Sequence, residues 1–199
     1  SYCLSMSLKS ILEAIFEFKE DPEKEELILF PRELFDDVES TSGLEATRLN
    51  REGAQQYGAG KYNEALKLFN RAVKIEPDNA FFWTNKGKAH RELGETEDAI
   101  KALEKGIEYN KEKELEGQFF YRIASVYFRI ENYKKAAEYY EKINFKEYLS
   151  YEMRLRYSYC CLILKRYNEA IKYAEEAGLI RPSEKLPKEI KTEAEKRAN

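Results

Sequence analysis

The sequence predicts an all-α fold built from stacked helix hairpins. Three observations support this class: small residues recur at a fixed interval, apolar residues follow a period of three to four, and turn-forming residues are scarce. The 199 residues include only 9 Gly and 5 Pro, but 15 Tyr and 11 Phe. Scarce turn formers favour long helices, and the many aromatic residues supply the apolar surface that a folded core requires.

The small residues mark an interval that is repeated along the chain. Two marker positions define each copy: Gly53 and Ala65, Gly87 and Ala99, Ala124 and Ala136, and Ser158 and Ala170. Successive copies are shifted by 34, 37 and 34 residues, so three residues are inserted before the third copy. An interval of this length is typical of repeats that each supply one helix pair. Such a pair cannot bury its apolar face alone, so the copies are expected to stack.

The residues within the interval resemble the pattern of the tetratricopeptide repeat family. The small, aromatic and proline positions of that pattern are occupied by Gly53, Gly60, Tyr62, Ala65, Phe69, Ala72 and Pro77, and then by Trp83, Gly87, Gly94 and Ala99. The resemblance implies a right-handed α-solenoid of four repeats, at residues 46–79, 80–113, 117–150 and 151–184. An acidic helical extension, residues 1–45, is expected before them. A polar capping helix, residues 185–199, is expected after them, with Leu186, Ile190 and Ala194 covering the last repeat.

In this family the first helix of each repeat lines a concave groove, and the resemblance places sixteen residues of this chain there. None of them is acidic, although the chain has 37 acidic and 34 basic residues. Arginine binds carboxylates through paired hydrogen bonds, and aromatic residues serve as apolar anchors. The alternative is that basic side chains merely keep this face soluble. We therefore predict a groove for an acidic or carboxylate-bearing peptide, lined by Arg51, Asn85, Lys88, Arg91, Tyr121, Arg122, Phe128, Arg156 and Tyr159.

Many members of the family bind the carboxylate-ended tail of heat-shock chaperones with five polar residues. Two of those five positions match in this chain, at Asn85 and Arg122. The other three hold Asn50, Ala54 and Gln118 instead. A co-chaperone with a degenerate clamp is therefore an alternative function, and a different acidic peptide is the favoured ligand.

The segment of residues 1–45 differs in charge from the repeats. It carries 4 basic and 12 acidic residues, whereas residues 46–184 carry 25 and 22. Two apolar clusters, at residues 8–18 and 27–38, predict helices. The favoured interpretation is a helical cap on the first repeat. The alternative is an intramolecular contact, in which part of this acidic segment occupies the basic groove.

The sequence does not predict an enzyme. His90 is the only histidine, and its position among helix-forming residues favours packing over general-base catalysis. We find no nucleophile–base set, phosphate-binding glycine loop or metal-ligand spacing, so no cofactor or metal is expected. A targeting module of a larger enzyme and an RNA-binding helical repeat are further alternatives. The net charge of −3 disfavours the second.

Cysteine usage and hydropathy bear on the compartment. Three cysteines, two of them adjacent, do not form a disulfide framework, which favours a reducing, cytoplasmic location. No run of about 18 apolar residues occurs, so no membrane span is expected. The sequence leaves the oligomeric state open.

Overall fold

The computed structural model describes residues 41–145 and 150–198. These residues form nine α-helices and no strand, which confirms the all-α prediction. The helices are α1 (Thr41–Gly58), α2 (Tyr62–Ile75), α3 (Ala80–Glu92), α4 (Thr96–Tyr109), α5 (Lys113–Arg129), α6 (Tyr133–Tyr140), α7 (Tyr151–Ile163), α8 (Tyr167–Ile180) and α9 (Leu186–Ala198). Residues 1–40, most of the predicted N-terminal extension, lie outside the described residues.

Polar side chains fix where several helices begin. The Asn79 side chain accepts a hydrogen bond from the N–H of Phe81 at the start of α3, over 3.2 Å. The Ser150 hydroxyl accepts one from the N–H of Met153 at the start of α7, over 3.3 Å. The first N–H groups of a helix have no partner within the helix, so such caps stabilise its first turn by about 1 kcal/mol.

The described residues fall into two compact units, which we describe separately: residues 41–126 and residues 127–198. In the first unit each helix from α1 to α4 packs against the next one in sequence. The helices of a pair approach closely at small residues. A Cβ atom built on Gly87 would lie 2.8 Å from Leu103 Cγ and 3.1 Å from the Ala99 carbonyl oxygen. The α3–α4 contact therefore requires a residue without a side chain at this position.

The second unit, residues 127–198, ends in the helix that the sequence predicts as a cap. Here α6 packs on α7, α7 on α8, and α9 covers both α8 and α7. The α9 residues Leu186, Ile190 and Ala194 are buried, as expected from their spacing of four. That this C-terminal helix caps the repeats stays a prediction.

Each of the four hairpins turns through one residue with a left-handed backbone. These residues are Gly60 (φ 73°), Gly94 (φ 76°), Glu131 (φ 58°) and Lys165 (φ 62°). In every turn the N–H of the following residue bonds the carbonyl five residues earlier, over 2.8–2.9 Å. This is the usual hydrogen bond of a helix that ends in a left-handed residue, most often glycine. The first two turns have glycine, and the last two hold a residue with a side chain in a conformation that costs roughly 1 kcal/mol or more.

Lys165 offers a direct test of that cost. We expect Lys165→Gly to raise the free energy of unfolding by about 1 kcal/mol, because glycine adopts a positive φ without steric conflict. Lys165→Ala is the matched control, since it removes the exposed charged chain but keeps the Cβ atom. Urea denaturation followed by circular dichroism measures both. A glycine variant no more stable than the alanine variant would contradict the prediction.

Candidate functional site

Three of the predicted groove residues lie along one side of α3. Asn85, Lys88 and Arg91 are spaced three residues apart, and their exposed fractions are 0%, 1% and 9%. Arg91 forms an ion pair with Glu92, over 2.8 Å. Buried cationic groups are uncommon because their loss of hydration must be offset by nearby anions or dipoles. Asn85, Lys88 and Arg91 are therefore enclosed by the protein, and Arg91 already has an anionic neighbour.

A pair of buried amides joins α1 to α3. The Nδ2 group of Asn85 donates a hydrogen bond to Oδ1 of Asn50, over 2.9 Å. Asn50 is 2% exposed. The Oδ1 atom of Asn85 is also buried, and none of the described residues donates a hydrogen bond to it. Asn50 stands where the chaperone-binding clamp has a lysine, so the structure has a neutral amide pair at that point.

The remaining predicted residues of the first unit differ in exposure. Arg51 on α1 is exposed, whereas Tyr121 and Arg122 on α5 are half-buried. Ala54, at another clamp position, is buried. A half-buried arginine has lost part of its hydration, so an ion pair with a ligand there is screened less than at a fully exposed site. Arg122 fits that description, and Arg51 does not.

In the second unit three aromatic rings form a cluster that supports an arginine. The ring centroids of Phe128, Tyr133 and Tyr159 are 5.5–5.9 Å apart, with the rings edge to face. The guanidinium of Arg156 lies 5.8 Å from the Phe128 centroid. Phe128 and Tyr159 are buried, at 1% and 2% exposure. Both aromatic residues therefore belong to the packed interior, and Arg156 lies over the Phe128 ring.

Tyr133 is not among the groove residues predicted from the sequence. The structure adds it to the aromatic cluster, because the first residue of α6 packs back on α5 and α7. Burial, helped by the nearby Cys160 and Glu131, raises the pKa of Tyr159 to about 12. Its hydroxyl is protonated and uncharged at neutral pH.

The surroundings of His90, Cys160 and Cys161 bear on whether these residues could act in catalysis. Nδ1 of His90 lies 2.6 Å from Oε2 of Glu95 in the turn after α3. Burial raises the pKa of the Cys161 thiol to about 12, and that of Cys160 well above its usual value. Thiols with such pKa values carry almost no thiolate near neutral pH, and thiolate is the reactive form. Neither cysteine therefore has the surroundings of a nucleophile.

Neither a metal-binding cluster nor a membrane-spanning helix occurs among the described residues. Within residues 41–145 and 150–198, no group of three or more His, Cys, Asp or Glu side chains could hold a metal ion. No helix in this described part of the chain is long and apolar enough to cross a membrane.

The Asn50–Asn85 pair leads to a stability prediction. We expect Asn50→Ala to lower the free energy of unfolding by about 1–3 kcal/mol, because the buried Asn85 amide loses its acceptor. The double variant Asn50→Ala/Asn85→Ala should lose less than the sum of the two single variants, since neither amide is then left alone. Denaturant titration of all three variants tests this. Additive losses would show that the two side chains do not depend on each other.

Comparison with known proteins accounts for the repeated interval. The sequence pattern that defines the tetratricopeptide repeat matches residues 56–116 and again residues 121–183. Heat shock protein STI1 of Saccharomyces cerevisiae is 32% identical over 108 residues, which are 52% of this chain and 18% of STI1. Hsc70-interacting protein 1 of Drosophila melanogaster is 29% identical over 68 residues, 34% of this chain and 18% of that protein. TPR repeat-containing protein MJ1428 of Methanocaldococcus jannaschii is 36% identical over 86 residues, which are 43% of this chain and 14% of that protein.

Solved structures agree on the fold. MamA from Desulfovibrio magneticus RS-1 superimposes with a TM-score of 0.63 at 16% identity, covering 77% of this chain and 91% of MamA. YrrB, described as a TPR protein with an unusual peptide-binding site, superimposes with a TM-score of 0.59 at 16% identity, covering 96% and 93%. The chain spans less than a fifth of the length of the relatives matched by sequence. The helix hairpins, the repeated interval and these matches together establish that the chain belongs to the tetratricopeptide repeat family.

Proposed function

We propose that this protein is a non-catalytic interaction scaffold. The first helix of each repeat contributes residues that hold an acidic or carboxylate-bearing peptide. The observation that carries the proposal is the charge of the predicted groove positions, where five basic residues occur and no acid. Lys88 and Arg91 on α3 are buried, and Arg122 and Arg156 on α5 and α7 are half-buried. Cations with restricted hydration favour an anionic ligand more strongly than fully solvated ones.

The contacts divide the basic residues by role. Arg91 is engaged with Glu92, so its charge is largely offset within the protein. Arg122 in the first unit and Arg156 in the second are the residues best suited to pair with ligand carboxylates. Arg156 lies over the ring of Phe128, which restricts the guanidinium and lowers the entropy lost on binding. We assign the aromatic residues Phe128 and Tyr159 a supporting role, and Tyr121 a direct one.

The relatives suggest a class of partner. STI1 is named as a heat shock protein, and the Drosophila relative is named for an interaction with Hsc70. The family resemblance implies that a full clamp binds carboxylate-ended tails. In this chain Asn50 replaces the first clamp lysine and is hydrogen-bonded to Asn85. The loss of that charge favours an acidic peptide of different sequence. The co-chaperone role stays as the alternative.

The proposal predicts a specific loss on mutation. Arg122→Ala and Arg156→Ala should each weaken the binding of an acidic peptide by about 2–5 kcal/mol if the arginine pairs with a desolvated carboxylate. Isothermal titration of the whole chain against peptides with free acidic C-termini, and against internal acidic peptides blocked at both ends, measures the loss and distinguishes the two ligand types. Arg48→Ala and Arg71→Ala are matched controls, because both side chains are more than half exposed. Their effect should be close to zero.

Two results would contradict the proposal. One is binding that is equally reduced by the control variants, which would reflect general charge rather than a site. The other is tight binding of a short single-stranded RNA with a steep salt dependence, which would favour the RNA-binding alternative.

The same charges make the acidic segment a candidate competitor. The alternative to a helical cap is that part of residues 1–45, most of which lie outside the described residues, occupies the basic positions in the absence of a partner. The variant with Glu20, Glu23, Glu25 and Glu26 changed to Gln should then bind acidic peptides about 5-fold to 10-fold more tightly, because the competitor is weakened. Glu64→Gln, Glu97→Gln and Glu138→Gln together form the control, since these residues are exposed on α2, α4 and α6. Equal affinity in wild type and both variants would exclude the intramolecular contact.

A further inference from the structure

The second unit, residues 127–198, has a cleft that shares none of the predicted groove positions. Its volume is about 880 Å³, and its lining includes Ile143, Phe145, Arg154, Tyr173, Leu179 and Ile180. The cleft lies between the residues that follow α6 and the second half of α8. Ligand sites usually have volumes of roughly 300–1,000 Å³ and mainly apolar linings with a few polar groups. This cleft has both properties.

The cleft follows from an interrupted helix. The second helices of the other three hairpins, α2, α4 and α8, each have 14 residues. Their counterpart α6 has only 8, and the chain leaves it at Tyr140 through tight turns. The missing six residues correspond to about 9 Å of helix, at 1.5 Å per residue. A helical segment of that length is therefore lacking at the point where the cleft opens.

The inner wall of the cleft is rigid and nearly neutral. Phe145 stacks on Tyr157 with a centroid distance of 5.7 Å and an interplanar angle of 10°, and it lies 5.1 Å from Tyr173. Arg154 donates hydrogen bonds to the Phe145 carbonyl over 2.5 Å and to Glu176 over 3.0 Å. Its side chain is 7% exposed. Because Arg154 and Glu176 offset each other, the wall offers a partner mainly aromatic surface.

The rim of the cleft supplies an apolar contact and a positive charge. Leu179 is 81% exposed, the largest exposed fraction among the large hydrophobic residues described. A single exposed leucine is ordinary, but this one borders a concave apolar surface. Lys172 is exposed one helical turn before Glu176, with its nitrogen 4.8 Å from the Tyr173 centroid. Among the lining residues it gives the cleft a net positive charge.

We propose that this cleft binds the apolar face of an acidic amphipathic helix from a partner protein. The missing turns of α6 leave room for a helical segment, and amphipathic helices bind grooves through residues at i, i+3, i+4 and i+7. The aromatic wall and Leu179 contact the apolar face. Lys172 selects partners whose polar face carries carboxylates, through charge complementarity. The site is thus a second interaction surface, separate in its residues from the basic groove.

The test uses the whole chain and a defined probe. The probe is a fluorescein-labelled peptide of about 14 residues, with leucines at i, i+3, i+4 and i+7 and glutamates on the opposite face. A second peptide has lysines in place of the glutamates. Leu179→Glu should weaken the binding of the glutamate peptide ~10-fold or more, because it places a charge at the apolar contact. Leu44→Glu is the matched control, as Leu44 is also exposed, at 50%, but lies on α1.

Further variants separate this site from the groove. Lys172→Glu should weaken the binding of the glutamate peptide about 5-fold and strengthen the binding of the lysine peptide. General destabilisation of the protein would not cause such a reversal. Leu179→Glu added to Arg122→Ala/Arg156→Ala should still weaken binding of the glutamate peptide ~10-fold or more relative to that double variant, because the cleft does not use the groove arginines. This inference and the proposed groove can therefore fail independently. Fluorescence anisotropy measures the affinity of the wild type and of each variant for both peptides.

Three outcomes would overturn the inference. The wild type binds neither peptide at about 1 mM, a limit at which specific recognition is negligible. Leu44→Glu lowers the affinity as much as Leu179→Glu. Sedimentation shows a wild-type dimer that Leu179→Glu dissociates, in which case the cleft pairs with a second copy of this chain.

Discussion

Close approach of paired helices at small residues is the constraint on which this structure depends. At Gly87 the neighbouring leucine and a backbone carbonyl already occupy the space that a Cβ atom would need. Gly53 has the same relation to the ring of Phe69, 2.6 Å from the ideal Cβ position. Because the helices pack this tightly, the large side chains of one helix reach the backbone of the next. Each hairpin then has a defined apolar edge that only another hairpin, or the final helix, can cover.

The hairpins were predictable because this constraint leaves a pattern in the sequence. Small residues twelve apart, with apolar residues every three to four positions between them, specify two helices that touch. The left-handed turns were only half predictable. Gly60 and Gly94 signal them, but Glu131 and Lys165 adopt the same φ with side chains that usually avoid it. Their position in the repeat imposes this backbone conformation, and the conformational preferences of glutamate and lysine do not predict it. The early end of α6 likewise arises from local backbone turns that periodicity does not reveal.

The site was less predictable than the fold, since the sequence identifies a face of a helix but not its environment. Lys88 and Arg156 both fall on the expected face, yet one is buried and the other half-buried. Phe128 and Tyr159, predicted as anchors for a ligand, are interior residues, and Arg156 lies over the ring of Phe128. The Asn50–Asn85 hydrogen bond joins residues 35 apart in the chain, and so depends on how two hairpins pack. The charge and type of the site residues follow from the sequence, but their contacts depend on how the helices pack.

The buried cysteines of α7 have a practical consequence. Cys160 and Cys161 are adjacent, lie within the packed interior of the second unit, and are held as thiols by burial. A thiol reagent can reach them only when this unit opens, so their labelling rate in native buffer reports the frequency of that opening. Labelling of these two cysteines thus reports local unfolding of residues 127–198 without an engineered cysteine and without denaturant.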